Sequence, residues 1–216
     1  MTLKDLEKEY DRLQKIYGDP SLHSIYSGGC AIRPDLMFVF MNPTAKNIAS
    51  SPEWSGIRAP WLSTKTIWDL FCELGLIKTS TFEKIRKMKP KDWTPEFADE
   101  VYEDVSKHKT FITNLGKCNQ IDARSLSDSV YLEYLDLLRK EIEITKPKVV
   151  ILLGNQVSSI VLGEKISVSQ VRKKCFNRQI AGCDYKFYSC FYPVGNGRFN
   201  IDKTIEDIKW IMKTEL

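Results

Sequence analysis

Apolar and polar positions alternate along the chain in blocks that predict helices and strands in turn. Leu3, Leu6, Tyr10, Leu13 and Ile16 recur at helical spacing, with Thr2 at a capping position and Gly18 as the stop. The run Leu36-Met37-Phe38-Val39-Phe40-Met41 predicts a buried strand. It stops at Asn42-Pro43-Thr44, because proline carries no amide hydrogen for the sheet ladder. Ser63 or Thr64 caps a second helix bearing Ile67, Leu70, Phe71 and Leu74, closed by Gly75. Residues 78–108 are charged and predict one or two short helices, the second beginning near Pro95. Thr110-Phe111-Ile112-Thr113 predicts a short strand ending at Asn114. A polar loop with Lys117, Cys118 and Arg124 leads into a long helix over residues 129–145, which Pro147 breaks.

Residues 148–153 form an unalternating, β-branched run, so this strand is expected to be covered on both faces. Gly154-Asn155 turns it into a helix ending near Leu162-Gly163. Residues 170–192 read as two strands joined at Ala181-Gly182. The second runs into Tyr192-Pro193-Val194-Gly195-Asn196-Gly197-Arg198. Asn200 is placed to cap a last helix carrying Ile201, Ile205, Ile208 and Ile211. Helices and strands therefore alternate throughout, which argues for an α/β fold: a three-layer α/β/α sandwich with a mainly parallel central sheet. No repeat and no Gly- or Pro-rich linker divides the chain, so residues 1–216 are expected to form one domain.

Composition narrows this picture. Hydrophobic residues make up 43% and aromatic residues 11%, enough for a sizeable core. No apolar run approaches the roughly 18 residues of a membrane span. The charged, helical N-terminus does not read as a signal peptide, so a soluble, cytoplasmic protein is expected. The net charge of +4 permits a nucleic-acid partner without requiring one. Basic residues gather at Lys84–Lys91 and at Arg172–Arg178, and either group also reads as a solvated face. None of the six cysteines forms a Cys-x-x-Cys pair, and neither histidine has a partner at metal-ligand spacing, so no metal is expected.

Strands running parallel end on one edge, and ligands of open α/β sheets bind beyond those ends. Three polar segments would converge there: Asn42 with Gly56-Ile57-Arg58-Ala59-Pro60-Trp61, then Asn114 to Arg124, then Tyr192 to Phe199. An asparagine amide presents a donor and an acceptor in one plane, which suits a nucleobase edge. A tryptophan offers a face for stacking. Each has a plainer reading: Asn42 as a turn former, Trp61 as core, and Gly195 and Gly197 as turn residues. Their coincidence in three loops favours a site.

At these residues the chain resembles the uracil-DNA glycosylase superfamily, from about Gly29 to Trp210. Phe40-Met41-Asn42-Pro43-Thr44 is similar to the Gly-x-Asn-Pro-Gly motif of the mismatch-specific and single-strand-selective branches, with Phe40 and Thr44 in place of two glycines. Arg58-Ala59-Pro60-Trp61 resembles the Gly-x-Pro-Phe segment, whose aromatic ring stacks on the extruded base. Thr113-Asn114-Leu115-Gly116-Lys117-Cys118 resembles the Asn-x-x-Lys-Cys segment of the iron–sulfur branches, whose asparagine reads the base. Residues 146–154 are similar to their Lys-Pro-x-hydrophobic-Leu-Gly strand. Tyr192-Pro193 stands where a His-Pro-Ser loop is usual. The later and N-terminal cluster cysteines are missing, so no iron–sulfur cofactor is expected.

The resemblance implies a DNA glycosylase of base-excision repair, a hydrolase without cofactor that acts as a monomer on damaged single- or double-stranded DNA. It implies catalytic roles for Asn42, which would position water, and Tyr192, which would donate to the leaving base. It places Met41, Trp61, Asn114 and Thr44 around the base, and Lys117, Arg124, Asn196, Arg198 and Phe199 against DNA. Arg198 or Phe199 is the candidate wedge into the vacated stack. Two other readings remain open at this point. One is a superfamily member that binds nucleic acid or a nucleobase without cleavage. The other is an unrelated α/β enzyme of small ligands, which no Gly-x-Gly-x-x-Gly or phosphate-loop motif supports.

Overall fold

The structure is a computed structural model describing residues 1–122 and 125–216, except for the side chain of Asn196. Six strands form one sheet: β1 (Gly28–Gly29), β2 (Leu36–Phe40), β3 (Thr110–Asn114), β4 (Val149–Leu153), β5 (Phe176–Ile180) and β6 (Cys183–Cys190). Their spatial order is β1-β3-β2-β4-β6-β5. The middle four run parallel, and the two edge strands are antiparallel to their neighbours. The helices are α1 (Leu3–Tyr17), α2 (Thr66–Glu73), α3 (Thr79–Lys87), α4 (Pro95–Lys107), α5 (Asp128–Thr145), α6 (Asn155–Leu162), α7 (Val168–Val171) and α8 (Ile201–Glu215).

The three central strands, β2, β3 and β4, are buried along their whole length, as unalternating apolar runs require. The period of two in a strand sends neighbouring side chains to opposite faces. Leu36, Phe38 and Phe40 pack with α2, α3, α4 and α8, whereas Met37 and Val39 pack with α1, α5 and α6. Each large side chain so buried contributes about 1.5–3 kcal/mol. The result is the α/β/α sandwich expected from the sequence.

Local differences have local causes. Helix α2 starts at Thr66, later than expected, because Ser63 and Thr64 are used in a turn. Ser63 has a positive φ of 62°, and Thr64 Oγ1 donates to the Trp61 carbonyl at 2.7 Å. Asn200 stands at the N-cap of α8, yet its side-chain oxygen accepts from Lys203 Nζ rather than from a helix amide. Ile16 is exposed, off the buried face of α1. The two-residue strand β1 and the four-residue helix α7 are too short to leave a periodic signal.

Topology fixes where a site can lie. Strand β2 leads to the helix layer of α2, and β4 leads to α6 in the opposite layer. The connections diverge between these adjacent parallel strands, which leaves a crevice at their carboxyl ends.

Candidate active site

The ends of β2 and β3 are held side by side. Leu115 N donates to the Phe40 carbonyl (2.8 Å) and Gly116 N to the Met41 carbonyl (2.9 Å). Pairing therefore runs past the last regular residues and brings Asn42 and Asn114 to one cavity. That cavity holds about 350 Å³. Its walls include Met41, Asn42, Thr44, Trp61, Asn114 and Tyr192, so the base-binding and catalytic residues expected from sequence come together.

Asn42 is 9% exposed. Its Oδ1 accepts from the Tyr131 hydroxyl at 2.7 Å, and its Nδ2 donates to the Pro43 carbonyl at 3.2 Å. Asn114 is 2% exposed, and its Nδ2 has no hydrogen-bond partner among the described residues. A buried amide donor without a partner costs about 1–3 kcal/mol, which a ligand acceptor would recover.

Trp61 adopts a left-handed backbone with φ 66°, a conformation a bulky residue rarely takes. Several bonds hold it there. Its carbonyl accepts from Thr64 N (3.2 Å), Thr64 Oγ1 (2.7 Å) and Trp68 Nε1 (3.2 Å). The Tyr102 hydroxyl donates to the preceding Pro60 carbonyl. Asn47 binds the facing loop: its Nδ2 donates to Ala59 O at 2.9 Å, and its Oδ1 accepts from Ala49 N at 3.0 Å. Ser63 Oγ donates to Lys46 O and accepts from Ile48 N, each at 3.0 Å. The aromatic wall is thus built from backbone outward, and the strain at Trp61 is offset by its surroundings.

Tyr192 follows β6, half-buried, with its ring edge-on to Phe40. Burial pushes its hydroxyl pKa well above the ordinary tyrosine value, so it stays protonated and able to donate. Gly197 lies against the Tyr192 backbone; a Cβ there would sit 1.8 Å from the Tyr192 carbonyl oxygen. Only glycine fits this return of the loop. Phe40 does not line the cavity. It lies behind Trp61 and Tyr192 and is fully buried.

The rim is less uniform. Phe199 is 79% exposed, with the Arg198 guanidinium 5.6 Å from its ring centroid. Arg198 lines a neighbouring groove with Asp69, Glu73, Asp202 and Glu206 rather than the cavity. Lys46 and Ser125 line the cavity and are exposed, although neither stood out in the sequence. Arg124, expected against DNA, lies outside the described residues, as does the side chain of Asn196.

The sequence matches the family model of the uracil DNA glycosylase superfamily over residues 28–207. The chain belongs to this superfamily. Membership supports a DNA-glycosylase-like function at the level of the family, with DNA as partner. Superfamily glycosylases generally act without a cofactor, and no group of three or more His, Cys, Asp or Glu that could hold a metal occurs among the described residues. Nor is any helix among those residues long and apolar enough to cross a membrane.

One expectation from the superfamily motifs is corrected. Lys117 was expected at DNA, but it is 1% exposed, and its ammonium pairs with Glu141 at 3.0 and 3.1 Å. It also donates to Thr113 Oγ1 and lies 5.1 Å from the Tyr10 ring centroid. Burial pushes its pKa down, and the facing carboxylate opposes that shift. An ammonium sealed by these partners cannot reach a phosphate. The sequence signal was on α5: Glu141 shares the buried face of Tyr134, Leu138 and Thr145 and needs a cation. Tyr131, from the start of that face, was also missed.

Proposed function

We propose that the chain hydrolyses the N-glycosidic bond of uracil or another deaminated base in DNA, after the nucleotide is flipped out or presented unpaired. The observation that carries this reading is one cavity walled by Asn42, Trp61, Asn114 and Tyr192 at the carboxyl ends of parallel strands. Extrusion of a paired base costs a few kcal/mol. Stacking on Trp61 returns about 1–3 kcal/mol of that. The Asn114 amide pairs with the base edge and leaves buried groups unsatisfied when the wrong base enters.

Bond cleavage leaves positive charge on the sugar and negative charge on the base. Tyr192 O–H and backbone amides near Met41 stabilise the departing anion as donors. Water adds to the sugar carbon as the C–N bond breaks, and the proton it loses passes to the departing base anion or to bulk water. An amide is a poor base, so Asn42 orients this water through Oδ1 rather than deprotonating it. Phe199, with Arg198 beside it, is the wedge that enters the vacated stack. Six free cysteines and a DNA substrate fit a reducing compartment, the cytoplasm, with the chain acting as one monomeric domain.

The test uses labelled single- and double-stranded oligonucleotides carrying uracil, hypoxanthine, xanthine or 5-hydroxymethyluracil, cleaved at abasic sites with alkali. Product that disappears in Asn42→Ala supports hydrolysis. Binding without product supports a second reading, a superfamily member that holds a base without cleaving it. The tyrosine at position 192, in place of the usual histidine, is what favours that alternative.

A further inference from the structure

The Asn42 amide carries the water in the reading above, yet an isolated asparagine side chain can turn its oxygen and nitrogen either way. Two contacts remove that freedom. The Tyr131 hydroxyl donates to Oδ1 at 2.7 Å, and Nδ2 donates to the Pro43 carbonyl at 3.2 Å. A turned amide would set its oxygen against the Pro43 carbonyl oxygen, acceptor against acceptor, and the Tyr131 hydroxyl anchors the amide in the orientation that this contact selects.

The placement of Tyr131 is built in. It lies in the first turn of α5, where its backbone N donates to the Ser127 carbonyl at 3.2 Å, and it is fully buried. Gly116, just beyond β3, clears room for the ring: a Cβ there would lie 3.1 Å from Tyr131 Cε1 and 2.8 Å from Leu126 Cδ1. Burial pushes the Tyr131 pKa above the ordinary tyrosine value, so the hydroxyl keeps the proton it donates.

We infer that Tyr131 is a positioning residue: its hydroxyl fixes the Asn42 amide in the orientation that holds the attacking water. The inference rests on the glycosylase reading. Tyr131 acts through Asn42 and does not itself meet the reacting atoms.

The deciding variant is Tyr131→Phe, which removes one oxygen and keeps the ring. Single-turnover cleavage is expected to slow by roughly 10- to 100-fold, as misplacement of a reacting group does. Affinity for an oligonucleotide with a non-cleavable 2′-fluorinated deoxyuridine should stay within about twofold, since ground-state contacts are untouched. In an Asn42→Ala background the same substitution should cost nothing further, because coupled residues are not additive. Tyr134→Phe is the control: this hydroxyl, on the same buried face of α5, has no hydrogen-bond partner among the described residues, so the rate should hold. An unchanged rate in Tyr131→Phe overturns the inference, as does an equal loss in both backgrounds. A second measurement does not need catalysis. In asparagine-labelled protein, the Asn42 side-chain NH₂ signals, assigned by their absence in Asn42→Ala, should move in Tyr131→Phe. Should the wild type cleave no oligonucleotide, the glycosylase reading fails separately. Unmoved Asn42 signals would then overturn the Tyr131 contact, and moved signals would uphold it.

Discussion

The ring of Phe40 meets the ring of Trp61 edge-to-face, with centroids 4.9 Å apart and planes at 67°. It meets Tyr192 in the same manner, at 6.3 Å and 77°. A residue in place of a motif glycine therefore supports two walls of the cavity from behind. Phe40→Ala is expected to lower the unfolding free energy by about 3–5 kcal/mol, the usual range for emptying a buried phenylalanine site. Phe40→Leu should cost less than about 1.5 kcal/mol, because volume is nearly kept. Restoring the glycine with Phe40→Gly should lower base-excision activity, not raise it. Urea titration and an oligonucleotide cleavage assay check these outcomes; a more active Phe40→Gly would show that the ring is only an obstruction.

The buried pair of Lys117 and Glu141 makes a second prediction. Glu141→Gln leaves the ammonium without its counter-charge and should destabilise the fold by about 3–5 kcal/mol. The double variant Lys117→Met with Glu141→Leu removes both charges and should recover most of that loss. Denaturant midpoints of the single and double variants decide the matter. A double variant as unstable as Glu141→Gln would mean that the network, including Thr113, is needed for more than neutralisation.

What the sequence made legible here was what backbone period controls. The strand that stops at Pro43, the helix that begins at Pro95 and the turn at Ala181-Gly182 all carry local signals, and the turn shows φ of 48° and 78° at its two residues. The convergence of Asn42, Asn114 and Tyr192 followed from strand direction, whereas Trp61 is placed by the bonds of its own loop. Lys117 departs from expectation because a lysine in a polar loop usually faces water, and its partner Glu141 lies 24 residues away on α5. Tyr131 escaped for a similar reason: its hydroxyl meets Asn42 across 89 residues of chain, and no pattern within one helix encodes that contact.

The cavity walls contain no carboxylate and no histidine among the described residues, so the cleavage rate should lack an acidic limb. Burial raises the Tyr192 pKa above the ordinary value of 10.0. The tyrosine therefore keeps its donor proton below that value and loses it only as pH rises through the raised one. His23 does not line the cavity, and its pKa is lowered first by burial and then by Arg58. Single-turnover rates should thus stay within about threefold from about pH 6 to about pH 9, since among the described residues no carboxylate or imidazole lines the cavity. A steep limb near the histidine pKa would contradict the roles given to Asn42 and Tyr192.

Exposure separates the two wedge candidates. Phe199 presents an apolar ring to solvent, whereas Arg198 turns toward a groove that also holds Asp69 and Glu206. An apolar side chain inserted between base steps offsets part of the unstacking cost. Phe199→Ala should reduce cleavage of a mispaired duplex by about tenfold, with a smaller effect on single strands, where little stacking needs to be broken. Arg198→Ala should follow the same direction with a smaller loss. Equal losses on duplex and single strand would argue that neither residue enters the stack.

On the proposed reading, Thr44, which lines the cavity, sets how much room a base has beside its 5-position. Its backbone pairs with Gln120, and its hydroxyl accepts from Lys46 N at 3.4 Å, so the side chain is anchored within its own loop. In the most uracil-selective branch of the superfamily an aromatic ring occupies this position and crowds a 5-substituent. The smaller threonine should allow uracil and 5-hydroxymethyluracil to be cleaved at comparable rates. Thr44→Phe should then depress the 5-hydroxymethyluracil rate relative to uracil by roughly 10- to 200-fold, the discrimination that one extra carbon in a tight pocket produces. The ratio of the two rates in wild type and variant is the measurement. Strict rejection of every 5-substituent by the wild type would mean that a wall other than Thr44 closes the pocket.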